Sequence, residues 1–273
     1  MSRHYEELLK MYNQIRETID FEPKVAIVLG SGLTKIVDEI DVKAHKGFGH
    51  IAGFPVCTNA AHRGRFVFGY IGDVPVVALE GRLHSYEGYT NQECVIPVRM
   101  AKMLGAEILI LTNAAGGINL DFGPGTMMNI TDHISSFVES PLKGENVEEL
   151  GTRFPDMSNI YDKELSKKLH ATADKLGIEL ADGTYVQASG PNYESPAEVK
   201  MFRTVGADAV AMSTAIEAMA AAHAGMKTVG ISCIVNKATD HNHGTLNDDD
   251  VVKTASEMDT KLTKLLTEFI NEL

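Results

Sequence analysis

Short apolar runs alternate with stretches of helical spacing along most of the chain. Apolar residues recur at helical spacing over 5–19 and again over 248–272. Uninterrupted apolar runs at 24–30, 106–112 and 227–236 are typical of buried strands. This alternation predicts strands separated by helices, which is the pattern of a largely parallel sheet.

A hairpin and two short strands complete the predicted sheet. Residues 65–81 indicate two antiparallel strands with a tight turn at 72–73. Residues 184–190 and 207–213 are two more strands. We see no repeat, low-complexity tract or long linker. We therefore expect one α/β domain over 1–273, with a mainly parallel mixed central sheet flanked by helices.

Capping residues mark where several helices begin. A hydroxyl side chain followed three residues later by a glutamate forms a capping box, which occurs three times. The pairs are Thr90 with Glu93, Ser195 with Glu198, and Thr214 with Glu217. The last pair places Ser213 at a helix N-terminus, where free N–H groups attract anions.

Composition and charge exclude several classes of protein. The 273 residues include 25 basic and 37 acidic side chains, for a net charge of −12. A chain this acidic, without a basic run, is a poor partner for nucleic acid. No apolar run approaches the ~20 residues of a membrane helix, and the N-terminus does not resemble a signal peptide. We expect a cytoplasmic protein that binds neither nucleic acid nor membrane.

The cysteines and histidines predict no metal site. Cys57, Cys94 and Cys233 are odd in number and lack zinc-binding spacing, which suits a reducing compartment. His241 and His243 could chelate a metal, but no carboxylate is placed to complete the site. A solvated loop is the favoured interpretation of that segment.

Polar or flexible residues follow each predicted strand. In open α/β sheets, ligands bind beyond the carboxyl ends of the strands. If residues 82–86 are extended, Arg82, His84 and Tyr86 point to one face and form a polar row. The other residues at strand ends are Ser31, Asn113, Ala114, Tyr193, Glu194, Ser213 and Asn236.

Each residue also has a plain structural interpretation. Ser31 could belong to a tight turn, Ser213 could only cap a helix, and Glu194 could be a loop charge. As a set they are more specific, because an arginine, a histidine, a serine and a helix N-terminus describe a phosphate site. An asparagine and a glutamate on separate strand ends, beside a tyrosine, describe a site for a planar heterocycle.

Eight short motifs are spread over about 24–270. They are GSGL (30–33), HRGRFVFG (62–69), GRLHSYEGY (81–89), TNAAGG (112–117), RFPDMS (153–158), GPNYES (190–195), AMST (211–214) and IVNK (234–237). In order and spacing they resemble the trimeric purine nucleoside phosphorylases. Because the motifs are separated along the chain, the resemblance is strong.

The resemblance implies reversible phosphorolysis in purine salvage. An inosine- or guanosine-type nucleoside or deoxynucleoside and phosphate would give free purine and pentose 1-phosphate. It also implies a homotrimer with shared active sites, and no cofactor, since inorganic phosphate is a co-substrate.

The resemblance implies a role for each residue that matches a motif. Phosphate would be bound by Ser31, His62, Arg82, His84, Ser213 and the backbone N–H of Ala114. The purine would be held by Tyr193, Glu194 and Asn236, and the ribose by Tyr86, Met212, Asp248 and Phe154 of a neighbouring subunit. Asn236, Glu194 and His84 would be catalytic.

The expected chemistry agrees with these side chains. Breaking an N-glycosidic bond builds positive charge on the ribose and negative charge on the purine. Phosphate stabilises the positive charge on the ribose, and groups around the base stabilise the negative charge on the purine. An ionised Glu194 only accepts hydrogen bonds, so it favours a ring N1–H, which 6-oxopurines carry.

The sequence departs from the family pattern at several positions. Ala211 replaces a glycine, and Tyr193 replaces a common phenylalanine, which would suit a more polar base such as xanthine. The family's histidine at the ribose 5′-hydroxyl falls at Asp248, with His241 or His243 as alternatives. A xanthosine-preferring phosphorylase, a water-using purine nucleosidase and a purine-binding sensor without turnover remain alternative functions. A methylthioadenosine phosphorylase ranks lower, because it would need an acid at position 236.

Overall fold

Strands and helices alternate along residues 2–238 and 248–273, which the computed structural model describes. The strands are β1 (Val25–Val28), β2 (Asp41–Gly47), β3 (Arg65–Ile71), β4 (Val74–Glu80), β5 (Ile108–Gly117), β6 (Met127–Ile134), β7 (Ala181–Gln187), β8 (Ala209–Ala211) and β9 (Lys227–Lys237). The α-helices are α1 (Arg3–Arg16), α2 (Asn91–Cys94), α3 (Ile96–Met103), α4 (Lys163–Leu176), α5 (Pro196–Thr204), α6 (Ala215–His223) and α7 (Asp248–Asn271).

The described strands form one mixed sheet. Their order is β2-β3-β4-β1-β5-β8-β7-β6-β9, and β9 also pairs with β5. The five strands from β5 to β9 therefore close into a ring, with β1 to β4 extending it on one side. Five of these pairings are parallel and four are antiparallel. The predicted α/β fold with a mixed, helix-flanked sheet is confirmed.

The sheet is buried on both faces because helices cover each side. All four residues of β1 are buried, and successive side chains point to opposite faces. Val28 packs in a cluster with Leu8 of α1, whereas Ile27 packs in a second cluster with Phe269 of α7. This two-sided burial explains the uninterrupted apolar runs of the central strands.

The predicted hairpin forms, with β3 and β4 antiparallel and Gly72 at a positive φ of 55° in the turn. The first helix ends at Arg16 rather than at residue 19. Strands β2 and β6 were not predicted. The predicted strand 106–112 continues as β5 to Gly117, because β8 and β9 supply hydrogen-bonding partners for residues 113–117.

Candidate active site

One cavity lies where strand ends converge, and ten of the predicted site residues line it. They are Ser31, Arg82, His84, Tyr86, Ala114, Tyr193, Glu194, Met212, Ser213 and Asn236. They come from chain segments that follow or end β1, β4, β5, β7, β8 and β9. The sheet topology therefore assembles a site from residues that are far apart in sequence.

Arg82 is buried and pairs with Glu217, a carboxylate that the sequence predicts in a capping box. Its Nε and Nη2 donate to Glu217 at 3.2 and 2.8 Å, and its Nη1 donates to the Thr112 carbonyl at 2.7 Å. A guanidinium has five N–H groups. These bonds use three of them, so two remain for an anion in the cavity.

The predicted capping box of Thr214 with Glu217 is wrong. Thr214 has a φ of 82° and makes no side-chain cap, and Glu217 instead pairs with Arg82. Gln187 Oε1 takes over the capping role, because it accepts from the Ile216 N–H at 3.1 Å. Sequence spacing could not distinguish these arrangements, since Glu217 fits both.

Thr214 is held in its strained conformation by neighbouring groups. Its hydroxyl accepts from Asn113 Nδ2 at 3.0 Å and lies 3.1 Å from the Ser213 hydroxyl. The Tyr185 hydroxyl donates to the Ser213 carbonyl at 2.6 Å. A β-branched residue at positive φ persists only where its surroundings over-determine it. These contacts fix Ser213 at the start of α6.

His84 and Tyr86 lie beside Arg82, although the extended row ends at His84. Residues 85–87 form a 3-10 helix, so Tyr86 is not in the predicted extended segment. The two rings nevertheless stack, with centroids 4.7 Å apart. Asn59, which we did not predict, also lines the cavity and donates to the Tyr86 hydroxyl at 3.0 Å.

Glu87, also not predicted, orients His84. It accepts from the backbone N–H of His84 at 2.8 Å and lies 3.2 Å from Nδ1 of the same residue. Burial opposes its ionisation, but hydrogen bonds from His84 and Thr58 outweigh burial and lower the pKa of Glu87 to about 2. The ionised carboxylate requires a proton on Nδ1 of His84. Nε2 is then the ring nitrogen that does not contact Glu87.

His62 contacts Ser31 but does not itself line the cavity. Its Nε2 is 3.3 Å from the Ser31 hydroxyl, and its ring stacks 5.3 Å from His84. Burial, with the nearby positive charges of His84 and Arg82, lowers the pKa of His62 to about 3. The imidazole is therefore neutral at physiological pH, so it can position Ser31 without adding charge.

Glu194 and Asn236 line the same cavity from separate segments of the chain. Burial raises the pKa of Glu194. Asn236 lies near the end of β9, opposite Gly116, where the register of β5 and β9 shifts. A β-carbon on Gly116 would lie 3.2 Å from Asn236 Nδ2, so the glycine leaves room for the amide.

Phe154 is a predicted site residue that does not line the cavity. Phe154 is 87% exposed and lies beside Leu142 and Pro155 on the surface. Asp248 is the first residue of α7, but its side chain lies outside the described residues, as do His241 and His243.

Two further findings concern only residues 2–238 and 248–273. Within them, no three His, Cys, Asp or Glu side chains group closely enough to hold a metal ion. Over the same part of the chain, no helix combines the length and the apolar character needed to cross a bilayer.

Known proteins are similar to this chain both in sequence and in architecture. The phosphorylase superfamily matches residues 24–271. The chain is 44% identical to purine nucleoside phosphorylase 1 of Bacillus subtilis, over 92% of this chain and 93% of that protein. It is 41% identical to the purine nucleoside phosphorylase of Bos taurus, over 88% and 86%.

The structural comparison agrees. The Schistosoma purine nucleoside phosphorylase solved with hypoxanthine superposes with a TM-score of 0.93 at 33% identity, covering 98% of this chain and 97% of that one. The Schistosoma mansoni enzyme solved with inosine gives the same score and identity, covering 98% and 96%. The chain belongs to the phosphorylase superfamily and, within it, to the purine nucleoside phosphorylases.

Proposed function

We propose that this protein catalyses the reversible phosphorolysis of 6-oxopurine nucleosides and deoxynucleosides. The supporting observation is that Arg82, Ser31 and Ser213 line the same cavity as Glu194 and Asn236. Those side chains suit a phosphate and a purine base, which in the reaction are joined to the same pentose. Phosphate is the nucleophile, and the purine is the leaving group.

The phosphate-binding groups are the two remaining N–H groups of Arg82, the Ser31 and Ser213 hydroxyls, His84 and the Ala114 N–H. The N-terminus of α6 adds the favourable dipole of its free N–H groups. His62 acts through Ser31. Because Glu217 neutralises much of the Arg82 charge, recognition depends on hydrogen bonds placed around the anion.

The purine is held by Glu194, Asn236 and Tyr193. Burial raises the pKa of Glu194, and a purine N1–H donating to the carboxylate would favour its charged form. Asn236 binds near O6 and N7, where negative charge develops as the base leaves. This stabilisation appears in the transition state, so it accelerates the reaction.

The ribose lies between Tyr86 and Met212. A β-carbon at Gly190 would meet the Met212 sulfur and come within 3.2 Å of Tyr86, so the glycine lets both residues approach. We further propose that Asp248 reaches the 5′-hydroxyl, and that Phe154 of a neighbouring subunit in a homotrimer closes the ribose site. The support for the last proposal is that Phe154 is a large aromatic residue left 87% exposed on this chain.

The reaction needs no metal or organic cofactor, because phosphate supplies the nucleophile. We propose a cytoplasmic location. The three cysteines are unpaired, and burial raises the pKa of each thiol to about 12, which suits a reducing compartment.

A panel of inosine, guanosine, xanthosine and adenosine, each with and without phosphate, tests the proposal. We expect base release from inosine and guanosine only when phosphate is present, with pentose 1-phosphate as the product. Release without phosphate would indicate a nucleosidase, and binding without turnover would indicate a sensor. Faster use of xanthosine would support the alternative that the Tyr193 hydroxyl suggests.

A further inference from the structure

A second cavity of about 250 Å³ lies away from the active site, under the first turn of α1. Its walls include His4 of α1, Arg99 of α3, His223 at the end of α6, and the loop 141–147. None of these residues lines the active-site cavity. Helix α6 separates the two places, since it begins at the active site and ends at this cavity.

Arg99 is buried at this cavity, and none of the described residues forms an ion pair with it. Its exposed fraction is 3%, and its Nε and Nη1 have no hydrogen-bond partner within residues 2–238 and 248–273. Burial lowers the pKa of Arg99 to about 10, so the side chain remains charged at neutral pH. An uncompensated buried charge is costly, which is why buried arginines normally have a partner. Arg82 in the same protein, paired with Glu217, shows the usual arrangement.

The other charged groups at the cavity do not neutralise Arg99. Lys143 forms an ion pair with Glu139. Glu145 lines the cavity but is exposed, and no ion pair joins it to Arg99 among the described residues. Within residues 2–238 and 248–273, no carboxylate therefore pairs with the buried charge of Arg99.

The two histidines add polar atoms that face the same space. His4 Nε2 and His223 Nδ1 are buried without partners in the described part of the chain. Asn146 donates to the Gly151 carbonyl at 3.0 Å, so its Oδ1 faces His223 Nε2 at 3.1 Å and accepts from it. Burial and the charge of Arg99 lower the pKa of His223, whereas an anion in the cavity would favour the protonated ring, whose Nδ1–H can donate to it.

We propose that this cavity binds a small inorganic oxyanion of the phosphate type, with Arg99 as the principal ligand. Unpartnered side-chain nitrogens come to the cavity from α1, α3 and α6, which suits a compact anion with oxygens on several sides. The anion supplies the counter-charge that Arg99 lacks. The site is separate from the one that binds phosphate as a substrate.

Equilibrium dialysis with ³²P-labelled inorganic phosphate tests the proposal. The parent protein binds two phosphates per chain, and Arg99→Met loses one of them or binds it at least about tenfold more weakly, since it lacks the charge-assisted donors. Lys102→Met is the matched control. It removes the same charge from the same helix outside the cavity, and it keeps both phosphates. Phosphorolysis by Arg99→Met stays within about twofold of the parent.

Two results would overturn the proposal. Equal phosphate stoichiometry and an equal sedimentation coefficient in the parent and Arg99→Met would mean that the cavity holds only water. A change of sedimentation coefficient in Arg99→Met, with unchanged stoichiometry, would mean that a carboxylate of a second copy fills it. If Arg99→Met does not fold, a selenate soak of parent crystals decides. Anomalous density within hydrogen-bonding distance of Arg99 supports the site, and an empty cavity refutes it.

Discussion

Replacing Arg82 by methionine separates the folding role of this arginine from its role in binding phosphate. In the parent, Arg82 and Glu217 are both almost fully buried, and two hydrogen bonds of 3.2 and 2.8 Å join them. Arg82→Met leaves the Glu217 carboxylate buried without a partner. Removing one member of a buried pair typically costs about 3–5 kcal/mol of stability.

The phosphate effect is independent of this cost. Losing charge-assisted hydrogen bonds to an anion weakens binding by about 1.5–3 kcal/mol, which corresponds to about 10- to 150-fold in kcat/KM for phosphate. A low activity of Arg82→Met alone could therefore reflect partial unfolding as well as lost contacts.

The double variant Arg82→Met, Glu217→Met resolves this ambiguity. Replacing both members of a buried ion pair by apolar residues is often neutral or stabilising. We expect urea unfolding to show a large loss of stability in Arg82→Met and recovery of most of it in the double variant. Steady-state kinetics should show that phosphate use remains impaired in both.

The result that refutes the reasoning is a double variant with recovered stability and parental kcat/KM for phosphate. Arg82 would then be a structural residue, and the anion would bind elsewhere in the cavity. A double variant as unstable as the single one would instead show that the ion pair, and not the lone charge, stabilises the fold.

Three further predictions concern the base, the neighbouring subunit and pH. Asn236→Asp should raise the ratio of kcat/KM for adenosine over inosine, because a carboxylate accepts from a 6-amino group but repels O6; a ratio within about twofold of the parent would remove Asn236 from base recognition. Phe154→Ala should raise the KM for nucleoside while the protein sediments as a trimer, and an active monomeric parent would contradict the shared site. His62 should make the free energy of unfolding fall as the pH drops from 6.5 towards about 3. Burial and the nearby His84 and Arg82 lower its pKa in the folded state, whereas the unfolded chain takes up a proton near pH 6.5. Urea titrations across this range should show a smaller fall for His62→Gln.

Local patterns in the sequence were sufficient wherever the interaction is between near neighbours. The capping boxes of Thr90 with Glu93 and Ser195 with Glu198 form as predicted, because each joins residues three apart. The apolar runs of β1, β5 and β9 predicted buried strands, since a strand covered on both faces must be apolar throughout. Residues at the ends of these strands could be predicted as site residues, because ligands bind beyond the carboxyl ends of strands in open α/β sheets.

Contacts between distant parts of the chain were decided only by the tertiary structure. Glu217 meets Arg82 across 135 positions, and no local pattern distinguishes that pairing from a helix cap. Segment 113–117 became strand because β8 and β9 lie beside it, although its glycines favour a loop. The burial of Arg99 with no counter-ion among the described residues likewise depends on how α1, α3 and α6 pack. A charge acquires its energetic cost from its surroundings and not from its neighbours in sequence.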